Sequence, residues 1–255
     1  MIERSTRVAL ITGASRRGAI GAAICRALAA GGFDVAFTHW RAYDRDTGSG
    51  LDQDGPTVIQ REIEAFGRRS LAIEADLSDP SVIGRLLDEI QAKLGELFVV
   101  VNNACFSKSA GIDVLDAKTL DDHYAVNLRA TMLLTVEFAR RWRGGTGGRV
   151  ISLTSGQSLG PMPDELPYVA TKGAIEAFTL SASPTLARRG IMINAVDPGA
   201  TDSGWMADEL KAEVRRVSPL GRIGQPEDIA RLIAFLASDA AGWITGQVIH
   251  SRGGL

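Results

Sequence analysis

The stretch Arg7-Val8-Ala9-Leu10-Ile11-Thr12-Gly13-Ala14-Ser15-Arg16-Arg17-Gly18-Ala19-Ile20-Gly21 decides how this chain folds. Arg7 to Ile11 reads as a buried strand that runs directly into glycines and then into a helix expected from about Ile20 to Ala30. Glycines at such a junction let backbone N–H groups approach a pyrophosphate, while the helix presents the positive end of its dipole. A glycine cluster alone is an ordinary strand-to-helix turn; its place directly after the first strand makes a phosphate cradle the better reading. Gly13, Ser15, Gly18, Ile20 and Gly21 would then line the cradle, with Arg16 and Arg17 bringing charge to it.

Working outward, further strands are expected at Phe33–Thr38, Ser70–Glu74, Leu97–Val101, Arg149 onward, Ile191–Val196 and Thr245–Ile249, with helical periodicity between them. Strands alternating with helices and joined by right-handed crossovers give an α/β, doubly wound parallel sheet of about seven strands, with helices on both faces. A ligand in such a sheet sits outside the carboxyl ends of the strands, at the switch point. The 255 residues fit one domain spanning 1–255, because Gly144 to Gly148 leads straight into a strand and reads as a turn rather than a linker.

Composition narrows the function. The 28 Lys and Arg against 30 Asp and Glu leave a net charge of −2, which argues against a nucleic-acid partner. No run is long and apolar enough to span a membrane, and Met1 to Arg7 is charged, so a cytoplasmic location is expected. Cys25 and Cys105 are too few for a disulfide framework or a zinc site. Residues 41–55 read as a polar loop whose acids do not match the spacing of a twelve-residue calcium loop, so no metal is expected.

Chemistry is suggested by Pro167-Tyr168-Val169-Ala170-Thr171-Lys172, since a tyrosine and a lysine four apart on a helix share a face. A cation beside a phenol favours phenolate and brings proton exchange toward neutral pH. Such a pair arises often by chance, so its company matters. Upstream, Arg149-Val150-Ile151-Ser152-Leu153-Thr154-Ser155 is a β-branched run ending in hydroxyls, which puts Ser155 at a strand's carboxyl end. Asn127 lies among apolar neighbours in a helix expected from about Leu120 to Trp142, and a buried amide needs partners.

Together with Thr12-Gly13, Asn102-Asn103-Ala104 and Pro198-Gly199, these residues resemble the short-chain dehydrogenase/reductase family, in its order and spacing over essentially the whole chain. The resemblance implies a Rossmann fold holding a nicotinamide dinucleotide. It implies that Ser155 polarises a substrate carbonyl, that Tyr168 exchanges the proton, and that Lys172 holds the cofactor ribose and lowers the tyrosine pKa. Asn127 would hold a water linking the lysine to solvent. Asp76 and Leu77 would touch the adenine, and Asn103 and Ala104 would flank the nicotinamide-side ribose. Pro198 and Gly199 would close over the carboxamide, with Thr201 and Ser203 as candidates to bind it. Residues 203–218, with Trp205 and Met206, would form a substrate lid, although their apolar side chains suit packing equally well.

Three departures from the family pattern stand out. The glycine loop is two residues longer than the usual Thr-Gly-x-x-x-Gly-x-Gly, Cys105 stands where glycine is usual, and Pro184 should kink or shorten the helix that starts near Leu166. In relatives the carboxyl-terminal tail builds a subunit interface, so a tetramer or dimer is expected.

An acid at the tip of the second strand would bind a ribose 2′-hydroxyl, whereas cations accommodate a 2′-phosphate. The tip here is Thr38-His39-Trp40-Arg41, so Arg16, Arg17 and Arg41 favour NADP(H); NAD(H) stays possible, with Asp44 able to swing toward the ribose. The resulting expectation is NADPH-dependent reduction of a ketone, of the 3-oxoacyl type or related, carried by a small molecule or an acyl carrier. The alternatives are an NAD-dependent secondary-alcohol or sugar dehydrogenase and a non-catalytic dinucleotide-binding scaffold. The presence of Asn127, Ser155, Tyr168 and Lys172 together weighs against the scaffold.

Overall fold

The computed structural model describes residues 7–46 and 50–255; the expectations resting on residues 1–6 and 47–49 lie outside them. Strands β1 (Val8–Ile11), β2 (Asp34–His39), β3 (Ser70–Glu74), β4 (Leu97–Asn102), β5 (Gly148–Leu153), β6 (Ile191–Asp197) and β7 (Val248–His250) form one sheet in the order β3-β2-β1-β4-β5-β6-β7. Every pairing is parallel. The chain builds outward from β1 to one edge, returns to β4, and builds to the other edge. The crevice predicted by that reversal lies at the carboxyl ends of β1 and β4.

Helices α1 (Ile20–Ala30), α2 (Arg41–Asp46), α3 (Gly55–Ala65), α4 (Val82–Lys93), α5 (Ala117–His123), α6 (Thr131–Arg141), α7 (Leu166–Ala187), α8 (Asp208–Val217) and α9 (Pro226–Ala237) connect the strands. Side chains alternate across β1, so Ala9 and Ile11 pack with Ile24 of α1, Ile59 of α3 and Ile233 of α9, while Val8 and Leu10 face Leu86 of α4 and Phe138 of α6. All four β1 residues are fully buried, which explains an unbroken apolar run where a half-exposed strand would alternate.

Several boundaries differ from expectation. Residues 41–55 are not loop throughout: Arg41–Asp46 is helical, and its Tyr43 hydroxyl accepts from Ser107 N at 3.1 Å while the ring meets Phe106. The long helix expected from Leu120 is divided by a π-helical segment, Tyr124–Ala130, centred on Asn127. Pro184 does not end α7. The Leu180 carbonyl that Pro184 cannot serve accepts instead from the Ser183 hydroxyl at 2.9 Å, and the helix continues to Ala187. The last strand is shorter than Thr245–Ile249, because the Thr245 hydroxyl accepts from Ile193 N and Gly246 takes φ +73.

Candidate active site

The glycine loop closes on the end of β4 through four hydrogen bonds and one close backbone approach. Gly13 has φ +74, and a Cβ there would lie 2.6 Å from Ala104 Cα. Thr12 Oγ1 accepts from Asn103 N and Ala104 N, both at 3.0 Å, and Asn103 Nδ2 donates to Thr12 O at 2.8 Å and Gly13 O at 2.9 Å. Asn103 therefore stitches the two strand ends, as a turn asparagine does. At Gly21 a Cβ would lie 2.6 Å from Gly13 O. At Gly18 one would meet nothing within 4 Å, so the loop is open on that side.

This edge fits a dinucleotide. Helix α1 begins after Ala19 with no side-chain cap, which leaves its first N–H groups for an anion. Ser15 belongs to the same turn, and a Cβ on Gly55 would fall 2.1 Å from its carbonyl, so the start of α3 backs the loop. Farther along the edge, Asp76 Oδ1 accepts from Ser78 N at 2.9 Å, starting a turn, and Leu77 is buried against α4.

Beside this loop stand the residues singled out for chemistry. Ser155 lies two positions beyond β5, and Tyr168 and Lys172 lie in the first turns of α7. The Ser155 side chain stands near enough to the Tyr168 hydroxyl to favour its ionised form. Burial is the main cause that raises the Tyr168 phenol above its ordinary 10.0; Cys105, Glu165 and Asp197 add to the rise and Ser155 opposes it. The net direction is thus opposite to the lowering expected from Lys172. Lys172 Nζ donates to Leu153 O at 2.8 Å and lies 5.5 Å from the tyrosine ring centroid.

Asn127 is buried, and its amide is committed. Its Oδ1 accepts from Phe106 N at 2.7 Å, and its Nδ2 donates to Phe106 O at 2.9 Å and Thr171 Oγ1 at 3.2 Å. The side chain clamps the turn after Cys105 onto α7, with one lone pair of Oδ1 left over.

The cations are spread differently from expectation. Arg17 donates from its backbone N at 3.0 Å and its Nε at 2.9 Å to Asp52, so its charge is already met. Arg16 Nη1 donates to Ser203 O at 3.2 Å, tying the glycine loop to residue 203. Arg41 has no hydrogen-bond or ion-pair partner among the described residues. Nearby, Asp44 is buried, with Oδ2 unpartnered among the described residues, and burial lowers the pKa of His39, whose Nδ1 is likewise unpartnered among them.

At the carboxyl end of β6, Gly199 adopts φ +60 and donates to Asp197 Oδ1 at 2.9 Å, and Thr201 Oγ1 donates to Pro198 O at 2.9 Å. In the following segment Met206 packs with Val214 and Ile223, whereas Trp205 is exposed with its Nε1 on Thr201 O. The segment therefore has both a packed and a free side. Sequence reading missed Asp52, and it missed His250 and Arg252, which meet Asp197; no local signal marks partners so far apart in the chain. A groove of about 650 Å³ edged by Arg140, Arg143, Arg188 and Arg189 lies near the amino ends of β5 and β6, remote from these groups.

A doubly wound sheet with a glycine loop at its switch point, beside a serine–tyrosine pair, defines a dinucleotide-dependent oxidoreductase. The chain belongs to the short-chain dehydrogenase/reductase family: the family model described as Enoyl-(Acyl carrier protein) reductase matches residues 13–255. It is 51% identical to an uncharacterized oxidoreductase, YjdA, of Bacillus subtilis (strain 168), over 100% of this chain and 98% of that one. It is 35% identical to the 3-oxoacyl-[acyl-carrier-protein] reductase FabG of Staphylococcus aureus (strain Mu50 / ATCC 700699), over 99% of each. A short chain dehydrogenase from Burkholderia cenocepacia J2315, solved in complex with NADP, superposes with a TM-score of 0.86 at 32% identity, covering 98% of both chains. Among the described residues no helix is long and apolar enough to cross a membrane.

Proposed function

We propose that this protein is an NADPH-dependent reductase of a ketone, of the 3-oxoacyl type or a related carbonyl, presented free or on an acyl carrier. The observation that carries the reading is the placement of Ser155 just past β5 and of Tyr168 in the first turns of α7, close enough to influence one another, beside the open glycine loop. Two hydroxyls on neighbouring rigid elements can converge on one carbonyl oxygen, and they are held in place before charge develops on it. NADPH, when bound, supplies the hydride. Ser155 polarises the carbonyl and Tyr168 gives its proton to the oxygen. Because burial keeps that phenol protonated, the site is set as an acid, which suits reduction. Lys172 holds the nicotinamide-side ribose with Asn103 and Ala104, and Asn127 serves the lysine side of the site by fixing the Phe106 turn.

In this reading the backbone of Gly13, Ser15, Gly18, Ile20 and Gly21 meets the pyrophosphate, and Asp76 and Leu77 meet the adenine. Pro198, Gly199 and Thr201 meet the carboxamide, and residues 203–218 cover the substrate. Arg41, supported by Arg16 and Arg17, takes the 2′-phosphate. NAD(H) is the second reading, favoured by the unpartnered Asp44 oxygen and by the Asp52 carboxylate on Arg17. The protein works as a single unit of residues 1–255, assembled as a tetramer or dimer in the cytoplasm.

Nicotinamide fluorescence titrations with each dinucleotide decide the cofactor, and a ketone panel followed by nicotinamide absorbance decides the chemistry. Tyr168→Phe should lower turnover by about 10²- to 10⁴-fold with little change in dinucleotide affinity. Undiminished turnover would remove Tyr168 from the mechanism.

A further inference from the structure

Behind the nicotinamide edge lies a charged cluster that the proposed mechanism does not use. Asp197, the last residue of β6, is 1% exposed. Its Oδ1 accepts from Gly199 N at 2.9 Å, and its Oδ2 accepts from His250 Nδ1 at 2.9 Å and Arg252 Nη1 at 3.1 Å. A carboxylate this buried persists only when paired and hydrogen-bonded.

The guanidinium that pairs it is held by the shape of two loops. A Cβ on Gly156 would fall 2.0 Å from Arg252 Nη1, and one on Gly199 would fall 2.9 Å from Arg252 Cγ. Arg252 thus fills the gap between the turn that carries Ser155 and the turn after Asp197, and any side chain at either glycine would expel it. Its Nε donates to Leu255 O at 3.3 Å. The next residues, Gly253 at φ +66 and Gly254 at φ +94, lie under Leu220 and Pro219, just past α8.

We infer that Arg252 is a positioning residue for the Ser155–Tyr168 pair, neutralising Asp197 behind the phenol and wedging the Ser155–Gly156 turn against the Pro198–Gly199 turn. The inference rests on the proposed role of Tyr168 as proton donor. Around that phenol the charged and titratable groups are Cys105 after β4, Glu165 before α7, Asp197 at the end of β6 and Lys172 on its own helix. His250 and Arg252 reach it through Asp197. Asp197 favours the protonated phenol, so an uncompensated Asp197 should favour it more strongly and a neutral residue there less so.

The test uses Arg252→Met, Arg252→Lys, Asp197→Asn and the Asp197→Asn/Arg252→Met double variant. Each is loaded with dinucleotide, with ethyl 3-hydroxybutyrate as the alcohol probe. In parallel, the Tyr168 phenol is titrated by ultraviolet absorbance as the difference from Tyr168→Phe, a reading that needs no turnover. Arg252→Met should move the alkaline limb and the phenol titration up by about 0.5–1 pH unit, and Asp197→Asn should move both down by a similar amount. Arg252→Lys should stay near the parent. The double variant should recover the parent pH profile while kcat stays about tenfold low, because the charge is balanced but the wedge is gone. Dinucleotide affinity should change less than threefold throughout.

Shifts of Arg252→Met and Asp197→Asn in the same direction, or a parent-like kcat and profile for Arg252→Met, would overturn the inference. Retained turnover in Tyr168→Phe would instead overturn the proton-donor reading, with the phenol titration still judging the charge coupling.

Discussion

Asp52 binds Arg17 as an anionic ligand would, through one backbone N–H and one guanidinium nitrogen of the glycine loop. Arg17 in turn holds the Asp52 carboxyl below its ordinary 3.8. A 2′-phosphate or pyrophosphate oxygen recruiting the same groups must displace that carboxylate. Since Arg17 is exposed, solvent screens the pair and the carboxylate is a weak competitor. Asp52→Asn should therefore tighten NADPH binding by about two- to fivefold, and tighten NADH less, as measured by nicotinamide fluorescence titration. Weaker NADPH binding in Asp52→Asn would mean that the carboxylate aims Arg17 at the ligand rather than blocking it. Arg16 is committed in another direction, to the Ser203 carbonyl, so the three arginines of the cofactor argument stand in three different electrostatic situations.

Element by element, α7 shows how a local rule and its repair coexist. Pro184 forfeits the hydrogen bond to Leu180 O, and Ser183 restores an acceptor contact there. Proline in a helix interior costs about 3 kcal/mol, offset by up to about 1 kcal/mol of lost freedom in the unfolded chain and by the serine bond. Pro184→Ala should raise stability by about 1–2 kcal/mol in thermal melts. It should leave turnover unchanged, because sixteen residues of helix put it roughly 24 Å from Tyr168.

The strands and the ends of α1 were legible in the sequence because apolar periodicity and strand-to-helix punctuation are local. Ser155, Tyr168 and Lys172 were legible for the same reason, each standing at a fixed offset from a strand or helix end. The short helix Arg41–Asp46 was not, since its anchor is the contact between Tyr43 and Ser107 in a different connection. Nor was the π-helical segment, which brings Asn127 against Phe106 through bonds that close only in the folded chain. Asp197 and Arg252, 55 residues apart, meet only because β6 and β7 pair.

For the whole molecule, burial ties alkaline stability to the active site. The folded state raises the Tyr168 phenol above its ordinary 10.0 and the fully buried Cys25 thiol above its ordinary 9.0, in both cases mainly by desolvation. A group whose pKa is raised by folding stabilises fully while both states stay protonated, below the unfolded value. As pH climbs past that value, the unfolded chain releases the proton first and binds fewer protons than the native state, so stability falls. The decline should begin near pH 9 for Cys25, with Tyr168 joining near pH 10. Each group steepens it by at most about 1.4 kcal/mol per pH unit. Denaturant unfolding of the parent and of Tyr168→Phe between pH 8 and 11 reads this directly. The curves should run parallel below about pH 9.5 and diverge above it, with the phenylalanine variant losing stability more slowly. Parallel curves up to pH 11 would mean that the phenol ionises as freely in the fold as outside it, and the acid proposed for catalysis would then lack the environment that keeps its proton in place.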